Sequence, residues 1–192
     1  MKLRPELLQH PNIPKPLHGM APRVIKGQEW WDITRQAAYA STDYHCLACG
    51  VHKTEAKYHQ WLEAHEDYTL DYENGVMSVK EIIPLCHSCH NFIHCGRLYM
   101  VNRSSIQGTR KIMDILNHGY NVLKSNNLQM NPTQAKMCYK YGVDYEACDV
   151  MEDNIDNVAQ WSDWHLVLDG EKHYSRFKDI EEWYNHYSKR SR

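Results

Sequence analysis

Apolar positions change their spacing several times along the chain, and each change marks an element. Between residues 28 and 40, Trp30, Ile33 and Ala37 recur three or four apart, which predicts a helix. Residues 60–68 and 75–84 read as strands joined across Asp71-Tyr72-Glu73-Asn74-Gly75, where the Asn-Gly pair favours a turn. A short helix is expected over 87–97. In 105–124, Ile106, Ile112, Ile115, Leu116 and Leu123 lie near helical spacing, with Gly108 and Gly119 weakening the two ends. Asn131-Pro132-Thr133 can cap a further helix to about Tyr141. Residues 144–160 are acidic and fit a helix or a loop equally. The stretch 164–177 predicts a hairpin turning at Asp169-Gly170, and Asp179 caps a last helix with Trp183 and Tyr187 on one face. Residues 1–28 hold five of the seven prolines, which forbids a long helix and predicts an extended arm.

These elements make an α+β chain, with a ββα unit at its centre and a C-terminal β-hairpin plus helix. Its expected divisions are an arm (1–28), the central module (29–98), a basic helical segment (99–143) and an acidic, aromatic appendage (144–192). With 13 Tyr and 6 Trp but 2 Phe, the core must use amphipathic aromatics. Trp161, Trp164, Tyr174, Phe177, Trp183 and Tyr187 are expected to form a small aromatic core of their own. A module of this size gains from a metal staple.

The cysteines supply that staple. Cys46 and Cys49 form one CxxC pair and Cys86 and Cys89 another, and loops of that length aim both sulfurs at one ion. Gly50 lets the backbone turn behind the first pair. The N-terminal stretch has no apolar leader and no run suits a membrane span, so the expectation is a cytoplasmic, reducing setting with thiols, not disulfides. Four thiolates imply a structural zinc. Cys95, Cys138 and Cys148 have no partner spacing and read as buried or free thiols.

Net charge is −2, yet the charge is split. Residues 97–140 carry seven basic side chains (Arg97, Arg103, Arg110, Lys111, Lys124, Lys136, Lys140) against Asp114 alone, whereas 144–182 carry twelve acids against Lys172, Arg176 and Lys178. A local basic excess of this kind suits phosphate contacts. The acidic segment suits a protein partner, a second copy of the chain, or a mask over the basic stretch.

Read together, Cys-Leu-Ala-Cys, Leu-Glu-Ala-His-Glu (62–66) and Ile-Ile-Pro-Leu-Cys-His-Ser-Cys-His-Asn-Phe-Ile-His (82–94) resemble the zinc-ribbon branch of the HNH (ββα-metal) endonucleases, over about residues 29–98. The resemblance implies a metal-dependent endonuclease that hydrolyses phosphodiester bonds, in double-stranded DNA, as phage and bacterial enzymes of this type do. It implies a second divalent cation, Mg2+, Mn2+ or Zn2+, held by His65, His90 and His94. Glu66 then falls on the position of the general base; shifted by one, Ala64 falls on the ligand position and His65 becomes the base. Such families carry histidine where this chain has Glu66 and asparagine where it has Glu81. The alternative is therefore a catalytically inactive zinc module that binds nucleic acid or a protein. Arg97, Arg103, Arg110, Lys111 and Lys124 are the expected nucleic-acid contacts. His87, inside the second knuckle, reads as a hydrogen-bond partner for a thiolate. Other histidines, among them His10, His59 and His118, read as surface or packing residues.

Overall fold

The structure, a computed structural model, describes residues 1–10, 12–143 and 158–188. Its strands are Glu63–Asp71 (β1), Val76–Leu85 (β2), His165–Leu168 (β3) and Glu171–Tyr174 (β4), in one sheet of order β1-β2-β3-β4. Its helices are Pro22–Lys26 (α1), Gln28–Ser41 (α2), His87–Ile93 (α3), Cys95–Asn102 (α4), Ile106–Ser125 (α5), Pro132–Lys140 (α6) and Ile180–Ser188 (α7). The chain is thus mixed α+β, as its patterning implies. Most of residues 144–160, and Cys148, lie outside the described residues.

The chain folds as two compact units. Unit 1 takes Met1–Pro11, Arg35–His65 and Ile83–Asp153; unit 2 takes Asn12–Thr34, Glu66–Ile82 and Asn154–Arg192. In unit 1 the amphipathic stripe of α5 (Ile112, Ile115, Leu116, Tyr120, Leu123) is buried with Phe92 of α3 and Leu98 of α4. Two glycines that read as weak points are instead points of close approach. A Cβ on Gly119 would come within 2.1 Å of the Phe92 ring, and one on Gly108 within 1.9 Å of the Asn102 carbonyl oxygen. The start of α5 is capped by Ser105, whose Oγ accepts from the Gly108 amide, and α6 opens on a capping box of Asn131 and Gln134.

Residues 1–28 are not an extended arm. They form helical turns at Pro5–Gln9, Lys15–Leu17 and α1, each with proline in its first positions, where the fixed φ suits a helix start. In unit 1 the first of these turns buries Leu7 and Leu8, and Gln134 Nε2 donates to the Leu8 carbonyl at 2.6 Å. The helix expected over 87–97 also departs from its pattern, breaking at His94 (φ −92, ψ 38) into α3 and α4. Ile93 and Cys95 are both buried, although a straight helix would set them about 200° apart. The break reconciles the two.

Unit 2 has a smaller core of Leu17, Met77, Trp164 and Leu166, with Tyr68 and Tyr72 against it. Here β2 pairs with β3 in parallel (Val76 with His165, Met77 with Leu166, Ser78 with Val167), a pairing the sequence pattern did not suggest. β3 and β4 form the expected hairpin, turning at Asp169 (φ 53) and Gly170 (φ 82), both left-handed as a two-residue turn of this class requires. Trp183 and Tyr187 share a face of α7, ring centroids 5.1 Å apart. Of the expected aromatic core, Trp164 and Phe177 are buried whereas Tyr174 is exposed.

Candidate metal centres

Both CxxC pairs lie in unit 1. The first is set by a turn in which the Gly50 amide donates to the Cys46 carbonyl with Gly50 at φ 79. The second opens α3, where Cys86 is the N-cap and its sulfur accepts from the Cys89 amide. The four sulfurs lie within 4.8 Å of one another, and Cys49 Sγ stands 3.8 Å from Cys86 Sγ. A tetrahedral ion with metal–sulfur bonds of about 2.3 Å has sulfur–sulfur edges of about 3.8 Å, so the quartet can hold a metal such as zinc. Cys46, Cys86 and Cys89 are buried within the apolar core of the unit, which closes the site to water. Hydrogen bonds from Cys49, Cys86 and Cys89 hold the Cys46 thiol well below its usual range; the same bonds push Cys86 and Cys89 up. His118 Nε2 lies 3.2 Å from Cys89 Sγ. The sulfur partner is therefore His118 of α5, where His87 was expected.

Histidines form the second group. His65 on β1, His90 on α3 and His94 at the α3–α4 break offer nitrogens within 4.8 Å of one another, with ring centroids 4.8–5.4 Å apart. His65 is 2% exposed, and neither of its ring nitrogens has a hydrogen-bond partner. A buried polar atom left unpaired is costly, and a cation between the three rings would satisfy it. Burial first, then the neighbouring His90, His10 and His94, keep the His65 ring far below its ordinary pKa; burial likewise lowers His94 to about 3. Both rings are neutral at pH 7 and have a lone pair to give. The donor set fits a divalent ion and leaves positions open.

Glu63, which the sequence reading passed over, ties this group together. One carboxylate oxygen accepts from His87 Nδ1 at 2.5 Å and the other accepts from His90 Nδ1. Burial alone would raise the Glu63 carboxyl, but the two imidazole hydrogen bonds outweigh it and hold the group well below the usual carboxylate range. An ionised carboxylate only accepts, so His90 must carry its proton on Nδ1, which frees Nε2 for an ion. A signal for Glu63 was present in Leu-Glu-Ala-His-Glu: strand alternation puts Glu63 and His65 on one face of β1. The same alternation sends Glu66 to the other face. Among the described residues Glu66 belongs to none of the metal-competent groups, and Glu81 lies on β2.

His10 is buried with its ring centroid 4.9 Å from that of His65. Asn131 Nδ2 donates to its carbonyl at 3.3 Å. No local pattern marks it. Of the basic residues, Arg97, Arg103, Arg110 and Lys124 are exposed and Lys111 is half-buried. Several rest on aromatic rings: Arg103 and Lys140 over Tyr99 (5.3 and 3.9 Å), Lys111 over Tyr58 (5.0 Å) and Lys124 over Tyr120 (5.5 Å). No described helix is long and apolar enough to cross a membrane. Comparison of the chain with family models, with curated proteins and with solved structures finds no match.

Proposed function

We propose that the chain is a divalent-cation-dependent phosphodiesterase of the HNH type acting on DNA, with zinc on the cysteines as part of its fold. The observation that carries this reading is the buried His65 ring, which lacks any hydrogen-bond partner and faces two further imidazoles. When bound there, a divalent ion would supply the positive charge that stabilises the phosphorane-like transition state and the leaving oxygen. His65, His90 and His94 hold the seat, and Glu63 fixes His90 by accepting the proton on its Nδ1. The exposed guanidinium and ammonium groups of Arg97, Arg103, Arg110 and Lys124 suit phosphate contacts, so binding should weaken as salt rises. Glu66, on the other face of the strand, takes no part in holding the seat.

Nicking of supercoiled plasmid, with and without Mg2+, Mn2+ or Ni2+, tests the proposal beside a His65→Ala control. The expected outcome is metal-dependent nicking, abolished by His65→Ala, lowered about 10–100-fold by Glu63→Gln and less affected by Glu66→Gln. Melting of His65→Ala should remain close to that of the parent. The placement of Glu66 favours a second reading, a zinc module that binds without cutting. Zinc retained without cleavage of plasmid, single-stranded DNA or RNA would select it.

A further inference from the structure

Beside the His65 group stands a second set of donors. His59, in the segment before β1, Glu63 on β1 and His87 at the start of α3 offer ligand atoms within 4.8 Å of one another. Two imidazoles and a carboxylate are the donors that bind zinc, manganese or iron while leaving coordination positions for water or substrate. The set is shaped. The His59 ring is stacked on Trp61, with centroids 4.2 Å apart and planes 8° from parallel, and meets the His87 ring edge-on at 4.3 Å. Asn91, one turn along α3, donates to the His87 carbonyl at 2.9 Å. His59 and Glu63 are half-buried, so an ion could enter from solvent.

Glu63 belongs to both sets. One of its oxygens meets His87 and the other meets His90, a ligand of the first group. A carboxylate whose two oxygens accept from imidazoles of two neighbouring clusters links the two clusters mechanically. We propose that His59, Glu63 and His87 form a further divalent-cation pocket, whose carboxylate also orients His90 of the His65, His90 and His94 pocket. The histidine side of unit 1 then takes two ions. For its part in phosphodiester cleavage the pair rests on the function proposed above; for binding it does not. Two such ions near one phosphate would supply positive charge to the attacking and the leaving oxygen of a displacement at phosphorus.

The full-length protein, loaded with excess Co2+ and freed of unbound metal, gives the test by elemental analysis. His59→Ala should lose about one equivalent of metal, while the cobalt–thiolate absorption of the cysteine quartet stays unchanged. His59 packs outside the apolar core, so the variant should keep its far-ultraviolet circular dichroism. Glu63→Gln is the second variant and should lower occupancy of both histidine pockets. An undiminished metal count in both His59→Ala and His87→Ala would overturn the proposal, reducing Glu63 to a hydrogen-bonded orienter of His90. His65→Ala separates the two ideas. If it loses an equivalent while His59→Ala does not, this pocket falls and the proposed function stands; the reverse pattern keeps the pocket and removes the seat on which that function depends.

Discussion

The two kinds of metal-competent group in unit 1 share α3 yet are built on opposite principles. The cysteine quartet is sunk into the apolar core with Leu85, Phe92 and Ile93, and amides and His118 serve its sulfurs. The histidine groups run from buried His65 and His87 to half-buried His59, Glu63, His90 and His94, and are tied by one carboxylate. The first arrangement is closed and suits holding a fold together; the second keeps coordination positions open and suits chemistry. What separates them is surroundings, since ligands from both come from the single stretch of residues 86–94.

That contrast can be broken in order of size. Cys86→Ser should have the largest effect. Loss of a thiolate from a site embedded in the core should cost a large part of the stability of the unit, on the order of 5 kcal/mol, read as a collapse of the denaturation midpoint together with loss of bound metal. A variant that melted normally would place the quartet outside the folding core.

Gly119→Ala comes next. The added methyl must displace Phe92, and overpacking of this kind costs about 1–3 kcal/mol in urea unfolding. Because Phe92 lies between Cys89 and His94 on the chain, the variant also asks whether the histidine geometry depends on the same packing. Cleavage that survives at reduced stability would separate the two.

Acid gives a smaller, graded effect. An unfolded histidine takes up its proton near pH 6.5, whereas folded His94 resists until about 3, so the unfolded chain binds the extra proton between those values. Stability should be level above about 6.5 and fall by about 1.4 kcal/mol per pH unit below it for His94, with His65 adding in the same direction. Denaturant midpoints between pH 7.5 and 5 measure this, and His94→Gln should flatten the slope. An unaltered slope would assign acid sensitivity to other groups.

Legibility in the sequence followed the range of the interaction. CxxC spacing is local, and the structure assembles those four cysteines into one cluster; helix and strand spacings served α2, α5, α6 and the β3–β4 hairpin equally well. Glu63 is legible by alternation along β1, whereas the family resemblance points to Glu66, on the face of the strand away from His65. His10 was not legible at all. Its place depends on Asn131 and on the burial of Leu7 and Leu8, contacts between residues more than a hundred positions apart. The break at His94 belongs to the same class, because it reconciles two buried positions that a periodic reading sets on different faces.

The parallel pairing of β2 with β3 bears on how the chain matures. Every donor in the cysteine and histidine groups precedes His118 or is His118, so all of them are synthesised well before β3. Unit 2 differs: Met77 acquires its strand partner only when Leu166 arrives, far downstream. Non-local pairing of that kind is slow to form. The nascent protein thus passes through an interval in which the metal ligands are made and the edge of β2 is still bare, a state open to edge-to-edge association.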